Sequence, residues 1–544
     1  MLGEMQDWPL LTWRLIDHAA QAHGDREIVT ATVEGAIHRY TWSDARLRSK
    51  QLAAALVALG VEVGDRVGTL AWNTHRHLES WYGIAGMGGV AHTVNPRLFA
   101  DQIVYIINHA EDRVLLFDIS FAKLVAEIAP RLTTVRHFVA MTEPAHMPAD
   151  AGISNLLCYE SLLAAQGTDF QWVMQDERAP AGLCYTSGTT GNPKGVLYSH
   201  RANVLHTFGA CMADALGLAS TSAVLPVVPM YHANAWGIPY AAAAVGAKLV
   251  MGGPHFDPGT LHKLIIDEGV TFTAAVPTVW LGMLQFLEKT GQDMGALKTV
   301  VIGGSAAPRM MIEAFQNKYG VRVAHAWGMT EMSPLGSVGT PSAHSLQLPA
   351  EKQLDLQCKQ GRGLFGIDMK ITDDAGNSLP RDGESAGHLK VRGPWIVGRY
   401  FKGDGGDILD AEGYFDTGDV ATIDQWGYIQ ITDRAKDVIK SGGEWISSIE
   451  LENAAVAHPE VAEAAVIGVH HPKWDERPLL IVVRKPGASV DKDDILSFLA
   501  PRVAKWWLPD DVVFVEGLPH TATGKISKLE LRHQFRDYKL PTAA

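Results

Sequence analysis

A chain of 544 residues exceeds one ordinary hydrophobic core, so two or more domains are expected. Hydrophobic residues at 47% and charged residues at 20% fit a globular protein rather than a fibrous or disordered one. A net charge of -13 offers no basic footprint, which excludes nucleic acid as a partner. The cysteines, Cys158, Cys184, Cys211 and Cys358, form no CxxC pair and no zinc-spaced cluster, so reduced structural thiols are expected.

The opening Met-Leu-Gly-Glu-Met-Gln-Asp carries acids and no basic n-region, so no secretory signal is expected. From residue 8 to about 140, amphipathic helical stretches alternate with short apolar runs such as 67–71 and 114–117. The alternation continues with apolar runs at 181–185, 223–228, 248–251, 272–276 and 299–302. Strand–helix alternation predicts an α/β chain with mostly parallel sheets. Residues 215–247 contain no Asp, Glu, Lys or Arg, a length that suggests a membrane span. Pro226, Pro229, His232, Asn234 and Pro239 interrupt it, so a buried core segment with a lined pocket is expected.

After Arg392, short segments rich in Gly, Asp and aromatics (413–419 and 426–431) predict β-hairpins. A charged stretch at 433–437 precedes a compact α+β segment. Its helix starts near Ser448, its strands fall at 464–469 and 479–483, and a further helix runs from Lys492. The expected division is residues 1–433, a hinge at 434–437 and a small domain over 438–544.

Residues 186–195, Thr-Ser-Gly-Thr-Thr-Gly-Asn-Pro-Lys-Gly, follow an apolar run. Glycines let a backbone approach phosphate closely, hydroxyls supply donors, and Lys194 adds positive charge. Gly195 follows Lys194 where a Walker A loop requires Ser or Thr, so a kinase-like or GTPase-like P-loop is disfavoured. The other motifs are ambiguous when taken singly. Thr330-Glu331 fits a solvated helix cap, Asp419 or Arg434 an exposed turn charge, and Lys525 a solvated loop cation. Residues 303–308, Gly-Gly-Ser-Ala-Ala-Pro, fit an ordinary strand-to-helix turn.

Together and in order, these motifs resemble the adenylate-forming superfamily of acyl-CoA synthetases, peptide-synthetase adenylation domains and beetle luciferases. Trp327-Gly-Met-Thr-Glu331 resembles its YGxTE segment, residues 414–419 its ribose-binding segment, 433–444 its hinge and glycine turn, and 519–525 its C-terminal lysine loop. The resemblance spans nearly the whole chain. It implies a large N-terminal adenylate-forming domain with parallel sheets and a β-rich subdomain, plus a small mobile C-terminal α+β lid. It also implies an AMP-forming acid–CoA ligase that uses ATP, Mg²⁺ and coenzyme A.

The same resemblance assigns residues. Thr186, Ser187, Gly188, Thr189, Thr190, Gly191 and Lys194 would cradle phosphate, with Thr186 and Glu331 on the metal. Gly304, Ser305, Ala306 and Ala307 would form one adenine wall and Trp327, in the place of the usual Tyr, the other, with Gly328, Met329 and Thr330 beside the nucleotide. Asp419 would accept the ribose hydroxyls, Arg434 would reach the nucleotide, and Lys525 would stabilise charge during adenylation. Lys436 falls in the hinge, and Gly442, Gly443, Glu444 and Trp445 resemble the turn lining the pantetheine channel.

His232, Trp236, Gly303, Trp327 and Pro334 would line an apolar acyl pocket, with Trp236 matching a tryptophan that gates the tunnel in similar enzymes. The pattern is similar to ligases of 3-methylmercaptopropionate, with medium-chain fatty acids as the alternative. The expected setting is a cytoplasmic homodimer without stable membrane insertion.

Overall fold

The computed structural model describes residues 3–149, 152–186, 192–441, 444–520 and 526–543. Among these residues the strands assemble into four sheets. The first runs in the order Leu156–Cys158, His137–Ala140, Val114–Phe117, Arg66–Leu70, Val90–Thr93, Pro180–Tyr185, Gly195–Ser199. Every neighbouring pair in it is parallel except the last, an antiparallel hairpin closed by the Thr186–Lys194 loop. The second is nine-stranded. Its centre is parallel, through Arg322–Gly328, Thr299–Ile302, Phe272–Ala275, Ala223–Pro226 and Lys248–Met251.

That second sheet also takes a strand from far away in the chain. Glu27–Ala31 pairs in parallel with Lys248–Met251, and Ile37–Thr41 completes the edge as a hairpin. The helix Trp42–Ala58 then starts at Thr41, whose side chain accepts from Asp44 N–H while Asp44 accepts from Thr41 N–H. This capping box satisfies donors that the first helical turn leaves free.

The helix His75–Gly86 is buried along all 12 of its residues. It carries charge into the interior, and each charge is matched. Arg76 pairs with Glu34 at 2.7 Å and Glu160 at 2.8 Å, and Arg48 pairs with Glu79 at 2.8 Å. Buried ions persist only when paired in this way. A β-rich unit of four antiparallel strands follows, Asp368–Thr372, Gly387–Arg392, Phe415–Ile423 and Ile429–Arg434.

Beyond Val438 the chain builds a separate sheet around the hairpin Val461–His471 and Asp475–Arg484. Strand alternation sends Ala464, Val466, Leu480 and Val482 to one face, under Leu451 and Ala455 of the helix Ser448–Val456 and Ile495 and Leu499 of Lys492–Leu499. Ala465, Ile467, Leu479 and Ile481 face the other way, against Leu531 of the helix Lys528–Gln534. Two apolar faces, each covered, explain why these strands read as continuous apolar runs.

No helix among the described residues is long and apolar enough to cross a membrane. Residues 215–247 instead fold into the strand Ala223–Pro226, a tight turn and the helix Ile238–Val245.

Candidate active site

The hydroxyl-rich segment joins the antiparallel strands Pro180–Tyr185 and Gly195–Ser199 in sequence. Its base is pinned by Thr186 N–H donating to Lys194 O at 2.9 Å and Lys194 N–H donating to Thr186 Oγ1 at 3.1 Å. Ser187, Gly188, Thr189, Thr190 and Gly191 lie outside the described residues, as do Gly442, Gly443 and Lys525. Glu444 and Trp445 form a short strand, Glu444–Ile446, paired with Ile439–Ser441.

The strand Arg322–Gly328 delivers Trp327, Gly328 and Met329 to a bend held by a Met329 N–H to Pro334 O bond of 3.0 Å. Thr330 and Glu331 follow, both buried. Tyr198, on the strand after the loop, donates its hydroxyl to Thr330 O at 2.7 Å. The Glu331 carboxylate accepts from the Tyr400 hydroxyl at 2.7 Å, and the Tyr400 ring lies 5.0 Å from Lys194 Nζ. Burial pushes the Glu331 carboxyl above its usual range; Tyr400 and Arg434 pull it back and Asp419 adds to the rise.

Asp419, on Phe415–Ile423, is buried and engaged on both oxygens. Arg434 approaches Oδ1 at 2.7 Å, and the Trp327 indole N–H donates to Oδ2 at 2.9 Å. Trp327, Glu331, Asp419 and Arg434, expected near one nucleotide from three separate motifs, thus meet in space.

The turn 303–307 is oriented from behind by His325. Its Nε2 accepts from Ala307 N–H at 3.3 Å and its Nδ1–H donates to Cys358 O at 3.0 Å. Desolvation lowers the His325 pKa to about 4, which keeps the ring neutral and fixes these roles. Gly304 and Ser305 are exposed, and Ala306 is half-buried.

The predicted acyl segment contains a rare backbone. Ala233, Asn234, Ala235, Trp236 and Gly237 are all left-handed, with φ of 42°, 54°, 47°, 57° and 73°. Such strain persists only where the surroundings over-determine it, and it gathers at functional sites. At Gly237 a Cβ would lie 2.5 Å from the His206 ring, so both φ and space demand glycine. His206 is neutral, its pKa lowered to about 3 by burial, and it accepts from Leu335 N–H at 3.1 Å. The strained turn aims the Trp236 indole at Gly303: a Cβ there would sit 3.0 Å from its Cη2. Trp236 and Gly303 therefore touch. Pro334 is buried after the bend, and His232 is half-buried at the start of the turn.

The strand ending at Arg434 is tied to the small unit beyond it. Asp433 accepts from Ser448 N–H at 2.8 Å and from the Ser448 hydroxyl, and Ser447 Oγ donates to Thr432 O. Lys528, partly buried, pairs with Glu452 at 2.9 Å beside them.

Sequence reasoning missed Tyr198, Tyr400, His206 and His325. Tyr198, Tyr400 and His325 touch motif residues and His206 touches Gly237 and Leu335 beside them, and none carries a signal in the linear sequence.

Two buried carboxylates, Glu331 and Asp419, a guanidinium, Arg434, and the Trp327 indole thus gather in one place, and the Trp236 indole lies against Gly303. Residues 16–401 match the AMP-binding enzyme family and residues 450–525 match the AMP-binding enzyme C-terminal domain, so the chain belongs to the AMP-binding enzymes. It is an AMP-forming acid–thiol ligase. It is 51% identical over 537 residues to 3-methylmercaptopropionyl-CoA ligase of Ruegeria lacuscaerulensis, with 99% of each chain covered. It is 48% identical over 544 residues to medium-chain-fatty-acid–CoA ligase of Ectopseudomonas oleovorans, covering 100% of this chain and 99% of the relative. Among solved structures, ATP-bound MatB from Rhodopseudomonas palustris matches with a TM-score of 0.82 and 26% identity, over 98% of this chain and 100% of that one.

Proposed function

We propose that the chain activates 3-methylmercaptopropionate, or an acid of similar size, and transfers it to coenzyme A. The contact of Trp236 with Gly303 carries this reading, because an indole held against that glycine would shorten the space open to an acyl chain. A thioether also suits an aromatic wall, since sulfur contacts rings favourably. The 48% identity to a medium-chain ligase supports a second reading, in which the same pocket accepts longer fatty acids.

The chemistry balances in two steps. A carboxylate oxygen attacks the α-phosphorus of ATP and pyrophosphate leaves, giving the acyl-adenylate. The thiol sulfur of CoA then attacks the acyl carbon, its proton is lost, and AMP leaves with the oxygen that made the attack.

In the first step Trp327 and the 303–307 turn enclose adenine, Asp419 takes the ribose hydroxyls, and Arg434 moves from its present ion pair toward the nucleotide. Lys525 offsets the two anions that must meet at phosphorus; preorganised charge of this kind is worth roughly 10²–10³ in rate. Glu331 and Thr186 would hold a magnesium ion, which favours hard oxygen donors and takes few from protein. When bound, magnesium neutralises charge on the phosphates. Glu331 supplies a carboxylate that lacks a full counter-charge and is steadied by Tyr400.

In the second step residues 438–544 turn about 434–437, withdrawing Lys525 and bringing the 442–445 turn to the thiol channel. The enzyme acts as a cytoplasmic homodimer in this reading.

A panel of acids assayed for AMP and acyl-CoA tests the substrate. Acids of about four to eight chain atoms should give the highest kcat/KM, with overlap into fatty acids because one methylene is worth only ~1–3 kcal/mol. Palmitate outperforming every short acid would reject the short-chain reading.

A further inference from the structure

The base of the hydroxyl-rich loop is stitched to the rest of the nucleotide site by one histidine that no motif includes. His109 lies in the last turn of the helix Ala100–Ala110. Its Nδ1 is 2.7 Å from the hydroxyl of Tyr185, the last residue before the loop. Its Nε2 is 3.6 Å from Asp404 Oδ2. With a neutral ring, Nδ1 accepts from the phenol and Nε2–H faces the carboxylate across 3.6 Å.

Asp404 belongs to the same turn as Tyr400, the residue that donates to Glu331. That turn also packs on the base of the loop. Phe401 and Tyr185 both close on Gly195, and Lys194 Nζ lies against Gly405. A second tie, Lys402 to Glu111 at 2.5 Å, anchors the turn to the end of the same helix. The ring of His109 is held in place by Tyr105, stacked at 5.4 Å and 13°, and by the edge of Phe401 at 5.7 Å.

Three elements therefore converge on one imidazole: the strand that leads into the loop, the turn that steadies Glu331, and the helix that carries His109. We propose that His109 is a positioning residue for ATP, holding the loop base and the Tyr400 turn in register through Tyr185 and Asp404. It touches no substrate atom. The inference rests on the adenylating role proposed above, and it extends that role to a side chain outside the motifs.

The decisive variant is Tyr185→Phe, which removes one hydroxyl and leaves the ring packed; Asp404→Asn, His109→Ala and His109→Gln complete the set. ATP affinity is measured calorimetrically with magnesium and without acid, alongside KM for ATP, KM for the acid, kcat and thermal stability. Tyr185→Phe and His109→Ala should weaken ATP binding and raise its KM by roughly three- to tenfold, as the loss of about one hydrogen bond implies. KM for the acid should change less than about twofold. His109→Gln, which keeps a donor and an acceptor, should recover at least half of the loss. The double variant Tyr185→Phe/His109→Ala should be no worse than His109→Ala alone, because the two act as one unit.

Unchanged ATP affinity in Tyr185→Phe would overturn the proposal. So would parallel losses in kcat, both KM values and stability without rescue by Gln, which would mark His109 as plain packing. A parent protein that binds ATP but turns over no acid would reject the functional reading while leaving the binding test of His109 intact.

Discussion

Replacing Tyr400 by Phe isolates a single hydrogen bond at the centre of the site. The Tyr400 hydroxyl donates to Glu331 Oε1 at 2.7 Å, and both side chains are buried. Phe keeps the ring that faces Lys194 at 5.0 Å, so packing changes little. A hydrogen bond to a charged acceptor contributes about 1.5–3 kcal/mol. At about 1.4 kcal/mol per decade, its loss corresponds to roughly 10- to 100-fold, the span typical for partners that orient metal ligands.

The assay is ATP–pyrophosphate exchange titrated with magnesium. The variant should need roughly 10- to 100-fold more free magnesium for half-maximal exchange. Burial already pushes the Glu331 carboxyl upward, and removing the donor that holds it down raises it further. The acid limb of the rate profile should therefore move to higher pH. A variant with parental magnesium dependence and an unmoved acid limb would mean that Glu331 does not serve the metal.

Three further outcomes follow from the same geometry. Trp236→Ala should shift preference toward longer acids, since removing the indole beside Gly303 opens space that only a longer chain fills; a chain-length profile identical to the parent's would make Trp236 core packing. Glu331→Gln should raise Tm at neutral pH while abolishing adenylation. Because the folded-state pKa of Glu331 lies above its unfolded value, this group's contribution to stability is present at acid pH and lost as pH rises through the folded value. The advantage of Gln should accordingly shrink as pH falls, and a lower Tm at neutral pH would contradict the burial argument. Lys525→Ala should slow adenylate formation by at least roughly 10²-fold yet form thioester from pre-made adenylate at near the parental rate, while Lys436→Pro should do the reverse. Equal loss in both half-reactions for Lys525→Ala would reject a two-pose cycle.

Much of the architecture was legible because apolar runs and strands coincide. The runs at 114–117, 248–251 and 299–302 are the strands Val114–Phe117, Lys248–Met251 and Thr299–Ile302. They are buried on both faces, so their signal is continuous and strong. Their partners were not legible: nothing local joins Glu27–Ala31 to Lys248–Met251, a pairing more than two hundred residues apart.

The site divides the same way. Trp327, Glu331, Asp419 and Arg434 each sit in a recognisable motif, and the fold gathers them. Tyr198, Tyr400 and His325 work through the geometry of their neighbours, which a linear pattern does not encode. The strained turn 233–237 was hidden for another reason. Ala and Trp rarely adopt left-handed backbone, so composition there suggested an ordinary apolar stretch.

The central claim is that the acid's own carboxylate attacks phosphorus before CoA arrives. Supplying 3-methylmercaptopropionate labelled with ¹⁸O in both carboxylate oxygens, together with ATP, magnesium and CoA, tests it in one reaction. Mass spectrometry of the products should find one labelled oxygen in AMP and one in the acyl-CoA carbonyl. AMP free of label, or label in pyrophosphate or inorganic phosphate, would contradict an acyl-adenylate intermediate.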